Sequence, residues 1–418
     1  MTQPLLLLIE SNTTGTGRQF AQRARALGIE PVLVSADPSR YPYATEDGIR
    51  VVVVDTSDES AVLSAARRSQ KEARVAGVTS SSEYYVATAA ATARVLDLPG
   101  PDAQAVRMCR NKARQRDVLR GSGVPVPEYE LVRTADEAWA AAKRIGHPVV
   151  IKPVQGSGSL GVRLCEGPDE TMAHAAALTA LAVNERGVPV PRDILVEEYV
   201  RGAEYSVEVF GLTAVVVVTK HLGPLPHFVE LGHDLPAALP TADTARVAEH
   251  AVRAVQALGL GWGAAHVELR MQGTDVRVIE VNPRLAGGLI PELIKQALGI
   301  DLVGSQVRAA VGMDPVHEPA QTTKTAAIRF LTTDRPGSLA DQARTEEAVA
   351  AAHAIEHVTA AMLYRGPGER IAPARDFRDR LGHAIATADD SATAGRAAAQ
   401  ALEALTGAFG PTTVETPV

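Results

Sequence analysis

The 418-residue chain, with 46% hydrophobic residues, is long enough to build two to four ordered lobes rather than a single core. Its formal net charge of −7 excludes a nucleic-acid partner held by bulk charge, and no apolar run is long enough to span a bilayer. The two cysteines, Cys109 and Cys165, form neither a metal spacing nor a disulfide framework.

The opening apolar run has no basic flank or cleavage pattern, so it reads as a buried first strand of a cytoplasmic protein. Residues 5–9, 30–34 and 51–54 read as strands, with a helix over 18–27 between the first two. Strands alternating with helices predict an α/β lobe with a doubly wound parallel sheet. The loop Gly15-Thr-Gly17 lacks the third glycine of a dinucleotide fingerprint, because Phe20 stands there. It reads as a tight strand-to-helix turn. Residues 76–82 form another strand exit, with Ser81 or Ser82 able to cap the next helix. Glu83 and Tyr84 follow; they could face a ligand, but the surface reading is preferred. The lobe closes near Pro99-Gly-Pro101.

A helix opens at Arg110-Asn-Lys112, where Lys112 by itself reads as a surface lysine. In His147-Pro-Val-Val-Ile-Lys152 a lysine emerges from a buried strand, and there it needs an anionic partner. The turn that follows carries Gly156, Ser157, Gly158 and Ser159, whose N–H groups and hydroxyls suit phosphate oxygens. It is not a Walker loop, since no Gly-Lys-Ser/Thr end is present and a strand follows. A helix is expected over 169–185, a strand over 194–200 containing Glu197, Glu198, Tyr199 and Val200, and another starting near Glu204. Residues 215–219 read as a strand, 227–236 as a loop holding Glu230 and His233, and 244–258 as a helix.

Residues 263–284 read as a hairpin. His266, Glu268 and Arg270 share one face of its first arm, and Glu280 and Asn282 share a face of the second. Pairing symmetric about Thr274 sets Glu268 against Glu280 and His266 against Asn282. Opposed carboxylates repel, so a positive charge is expected between them. Glu, Glu and Asn offer only oxygen from the side chain, a set suited to Mg²⁺. Arg284 can make forked contacts to phosphate or carboxylate, and Gly287 and Gly288 allow close approach of backbone to a substrate. Beyond a helix over 289–298 come strands near 325–331, 356–364 and 380–388, a helix over 393–405, and a frayed tail.

Taken in order, Lys112, Lys152, the glycine loop, Glu197-Glu-Tyr-Val200, Glu204, Glu268 and Glu280-Val-Asn-Pro-Arg284 resemble the ATP-grasp superfamily, most closely its L-amino-acid (dipeptide) ligase branch. The resemblance implies an N-terminal Rossmann-like lobe (1–108), a glycine-loop sub-lobe (109–192), a metal-bearing sub-lobe (193–320), a small C-terminal lobe (321–410) and a flexible tail (411–418). It implies ATP with Lys112 and Lys152 on its phosphates, adenine on the backbone of 197–200 and ribose on Glu204. It implies Mg²⁺, two ions with Mn²⁺ as a substitute, on Glu268, Glu280 and Asn282. Arg284 would steady an acyl phosphate, and Glu230 or His233 would handle an amine and its proton. His266, Gly287 and Gly288 are the substrate-side candidates. The expected activity joins a carboxylate to an amine, with small-molecule partners, no nucleic acid or membrane, and a homodimer. A carboxyphosphate-forming carboxylase and a non-catalytic ATP sensor are the alternatives.

Overall fold

The computed structural model describes residues 3–12, 16–183, 190–315, 320 and 322–409. Gly15, the expected end of the helix at 185 and the tail from 410 lie outside the described residues.

The first lobe holds β1 (Leu5–Ile9), β2 (Glu30–Ser35), β3 (Arg50–Val53) and β4 (Val75–Thr79) in a parallel sheet ordered β3-β2-β1-β4. Every residue of β1 is buried, as expected for a strand covered on both faces. Gly77 in β4 is where this sheet meets the helix Leu302–Ala310: a Cβ there would lie 2.2 Å from the Ala310 carbonyl oxygen.

A second, antiparallel sheet, ordered β5-β8-β6-β7, contains β5 (Tyr129–Val132), β6 (Val149–Pro153), β7 (Arg163–Cys165) and β8 (Ile194–Glu198). The glycine-rich turn joins β6 to β7. The helices Ala135–Ile145 and Pro168–Thr179 pack their alanines on one face of this sheet. The second of them stops at Thr179, short of the expected 185.

The third sheet combines β9 (Ala203–Phe210), β10 (Thr213–Leu222), β11 (Glu230–Leu235), β12 (Ala264–Gln272), β13 (Asp275–Asn282) and β14 (Thr325–Thr332). After β15 (Gly337–Ser338), β16 (Val358–Leu363) and β17 (Arg370–Ile371), β18 (Arg380–Ala388) completes it. The order is β13-β12-β9-β10-β11-β14-β18-β16, so one sheet runs from the hairpin into the C-terminal segment. The helix Thr241–Ala257 covers the β9, β12 and β13 end. The helix Ser391–Thr406 covers β14 and β18.

Residues 230–235, expected as a loop, form an interior strand. Lys220 pairs with His233 on one side and Ile328 pairs with it on the other. No apolar alternation marks this segment. One backbone partner, β10, is the preceding strand and the other, β14, lies far off in sequence; together they decide its conformation. In the hairpin, Glu268 faces Glu280 and His266 faces Asn282, as expected. The turn at Gly273-Thr274 sets a register one residue different, and a bulge between Glu268 and Leu269 restores the expected pairing. The carboxylates therefore meet because β13 carries an extra residue, Ile279.

Gly77→Ala should lower stability by about 1–3 kcal/mol through forced overpacking. Gly121→Ala, with nothing within 4 Å of the added methyl, should not. Paired calorimetric or denaturant unfolding curves check this.

Candidate active site

Between the second and third sheets lies a cleft. Lys112, Lys152 and the glycine loop line one side of it, and Glu268, Glu280, Asn282 and Arg284 line the other. Glu197, Glu198, Tyr199, Val200 and Glu204 run along its edge. Lys152 and Glu197 meet because of register. Lys152 is opposite Leu195 and Glu197 opposite Val150, so the two project from one face as a diagonal pair. Their charged atoms are 2.5 Å apart, and Arg116 Nε donates to Glu197 at 2.8 Å. Glu197 is 2% exposed and not turned to solvent; its carboxylate is the counter-ion of Lys152. Burial lowers the Lys152 pKa, with Glu197 opposing that pull. Burial also works against the Glu197 charge, but Arg116 and Lys152 outweigh it and hold the pKa below its ordinary value.

Lys112 is likewise buried, contrary to the surface reading. From the first turn of the helix Lys112–Gly121 it donates to the Gly156 carbonyl at 3.0 Å and lies 3.1 Å from Glu280. It ties the glycine loop to the hairpin.

The positive charge expected between Glu268 and Glu280 is supplied by the chain itself. Lys220 Nζ stands 3.0 Å from Glu268, and Lys112 serves Glu280. The opposed carboxylates therefore do not by themselves require a divalent ion. Among the described residues no group of three His, Cys, Asp or Glu is arranged to hold a metal. Glu268, Glu280 and Asn282 nevertheless line one cleft and offer oxygen alone, which fits Mg²⁺ or Mn²⁺ once the lysines yield.

Lys220, which sequence reasoning passed over, is the most connected cation of the site. It closes the run Val215-Val-Val-Val-Thr-Lys220, the same apolar-strand-then-lysine pattern that marked Lys152. Its Nζ lies 2.9 Å from Glu204, 2.9 Å from Glu230 and 3.0 Å from Glu268. Glu204, expected to receive ribose, also takes Arg270 at 2.9 Å, and Arg270 donates to the Val200 carbonyl at 2.8 Å. His266 bridges Glu208 at 2.7 Å and Glu268 at 3.2 Å. Burial opposes its charge, but Glu208 and then Glu268 prevail, and its pKa is pushed up to about 9.

Arg284 is held by Glu83, which also pairs with Arg110. Glu83 is buried, which corrects the surface reading; the two arginines overcome its desolvation and bring its pKa down to about 2. A second cavity opens beyond Arg284, lined by Glu83, Tyr84, Glu230, His233, Gly287 and Gly288, and it shares Lys220, Glu268 and Arg284 with the cleft. Arg380, from the far end of the chain, enters here and binds Glu230. No local pattern announces it. His233 is 1% exposed, and neither ring nitrogen has a hydrogen-bond partner. Burial pushes its pKa down to about 3, with Arg380 and Lys220 adding to the effect and Glu230 resisting it. Gly288, at φ +60°, leaves the space beside this ring: a Cβ there would lie 2.8 Å from His233 Nε2.

Three family models match the chain: an ATP-grasp N-terminal domain over residues 21–100, an ATP-grasp domain over 145–292 and an L-amino acid ligase C-terminal domain over 329–407. Fold and cleft together define an ATP-grasp enzyme. The uncharacterized protein y4rH of Sinorhizobium fredii is 37% identical over 97% of this chain and 83% of its own length. Carnosine synthase 1 of Mus musculus is 28% identical over 72% of this chain, which spans only 39% of that protein. The crystal structure of an L-amino acid ligase from Bacillus licheniformis superposes with a TM-score of 0.79 at 21% identity, covering 98% of both chains. The chain belongs to the L-amino-acid ligase branch of the ATP-grasp superfamily, ATP-dependent ligases that form C–N bonds.

The low pKa of His233 has a stability consequence. Between pH 6.5 and about 3 the unfolded chain binds a proton that the folded imidazole does not, so this group removes stability as pH falls. Histidine-ring NMR should show His233 neutral down to about pH 3, and His233→Gln should flatten the acid side of the stability curve.

Proposed function

We propose that the chain binds ATP in the cleft between the second and third sheets and joins a small carboxylate to an amine in the adjoining cavity. The observation that carries this reading is the shared wall. Lys220, Glu268 and Arg284 line both spaces, so the γ-phosphoryl end of a bound nucleotide would meet a carboxylate entering from the other side.

Lys112 and Lys152 would hold the phosphates, and the glycine loop would close over them. A divalent ion on Glu268, Glu280 and Asn282 would offset the negative charge that two anions bring together. The carboxylate oxygen attacks the γ-phosphorus and ADP leaves, giving an acyl phosphate beside Arg284. The amine nitrogen then attacks the acyl carbon, phosphate departs, and the nitrogen loses its extra proton. His233, kept neutral and with no hydrogen-bond partner for either ring nitrogen, is suited to accept a hydrogen bond from the amine, whereas a pKa of about 3 makes it a poor base for that proton. Closure of the loop protects the intermediate from water.

A carboxylate with a side chain larger than that of alanine is the expected acyl donor, although a Cβ at Gly288 would meet His233 at 2.8 Å rather than open space. The conformation at Gly288 strains any substituted residue, so this is tested by the range of acyl donors rather than by mutation there. A homodimer is the assembly that the family resemblance implies.

Phosphate release screened over pairs of amino acids and other carboxylates, with product mass recorded, should identify a condensation product with its ADP. Lys152→Met should lower kcat/KM by about 10²–10³-fold, the scale expected for one lost charge-stabilising donor. ATP turnover that depends on bicarbonate and needs no amine would instead establish the carboxyphosphate alternative.

A further inference from the structure

The cluster around Lys220 sets four cations, Lys220, Arg270, Arg380 and His266, against four carboxylates, Glu204, Glu208, Glu230 and Glu268. Each of the three carboxylates that Lys220 touches also meets a second cation: Arg270 on Glu204, Arg380 on Glu230 and, shared with Glu208, His266 on Glu268. Lys220 is shared by all three, with its side chain 2% exposed. Two of these carboxylates are the ones assigned above to ribose and to a divalent ion. Neither can turn fully to its ligand while it holds the shared ammonium. A divalent ion added to the cluster as it stands would meet the Lys220 ammonium 3.0 Å from Glu268, and desolvated like charges repel strongly. Of the four cations, the ammonium is the compact point charge, on a flexible stem with rotatable donors, that can change partners most easily.

We propose that Lys220 is a placeholder cation. In the ligand-free protein it occupies the Glu268 oxygen that a divalent ion takes, and it passes to the triphosphate when metal and nucleotide arrive together. Resting on the nucleotide reading above, this makes the two ligands bind cooperatively and each weakly alone. The ion finds the Glu268 Oε1 held by the ammonium until the nucleotide draws it away. The nucleotide finds its ribose acceptor engaged until the ammonium has moved. The protonation of Lys220 does not change in this exchange; only its partners do. The design would also limit ATP turnover by a half-assembled site.

The test is Mn²⁺ alone, without nucleotide, titrated into the full chain at fixed pH and followed by the loss of the free-ion paramagnetic resonance signal. Lys220→Met should bind Mn²⁺ about tenfold more tightly than the wild type, within the usual range of coupling between sites. Lys220→Arg, which keeps the positive charge, should bind like the wild type. The double variant Lys220→Met/Glu204→Gln removes one charge of each sign. It should also bind Mn²⁺ more tightly, which separates release of Glu268 from a change in net charge and serves where the single variant does not fold. Calorimetry of Mg²⁺ with a non-hydrolysable ATP analogue accompanies these titrations. Nucleotide binding by the wild type, with Mn²⁺ affinity unchanged in both methionine variants, would overturn the placeholder role alone. No nucleotide binding by the wild type would overturn both this role and the nucleotide reading.

Discussion

The site depends on charge compensation in a place with little water. Two glutamates on adjacent strands, Glu268 and Glu280, face each other across the hairpin. The fold brings a lysine to each, Lys220 from β10 and Lys112 from the start of a helix. Unpaired, any of these groups would be costly to bury. Paired, they hold three parts of the chain in register: the glycine loop through Lys112, the hairpin through both glutamates, and β11 through Lys220 and Glu230. The arrangement leaves acids and bases in a common cleft with their bonds directed at one another. They can be redirected when a polyanion and a divalent cation enter.

Compensation repeats outward from this centre. Lys152 has Glu197, which has Arg116. Arg284 has Glu83, which has Arg110. Glu230 has Arg380 from the C-terminal segment. These chains connect the cleft to the three larger parts of the fold. The first lobe contributes Glu83, and the last stretch of the large sheet contributes Arg380. The C-terminal segment is therefore part of the cavity wall. His233 is the exception: it has no hydrogen-bond partner for either nitrogen, and burial, reinforced by Arg380 and Lys220, keeps it neutral. In a site where every other charge is matched, an imidazole with free nitrogens is the group available to a substrate.

Much of this was legible in order along the chain. The hairpin pairing of Glu268 with Glu280 followed from alternation, although the actual register needs a bulge that alternation does not show. Lys152 was legible because a lysine ending an apolar strand demands an anion. Lys220 obeys the same rule and went unread; its partners Glu204, Glu230 and Glu268 come from three separate strands that only the folded sheet sets side by side. Glu83 and Lys112 looked like surface residues because nothing local to them shows burial. Arg116 and Arg380 had no local sign at all, since each acts on a residue far away in sequence.

By itself the sequence determined the alternation of strands and helices in the first lobe, the polar face of the hairpin strands, and the ordered set of residues by which its superfamily is recognised. These properties are local or serial: side chains alternate along a strand, and motifs keep their order. Tertiary structure alone decided which counter-ion each buried charge receives, that residues 230–235 become an interior strand, and that the first lobe and the C-terminal segment close the cavity. Those outcomes depend on Coulomb interactions and backbone pairing between distant segments, and such distances exist only once the chain has folded.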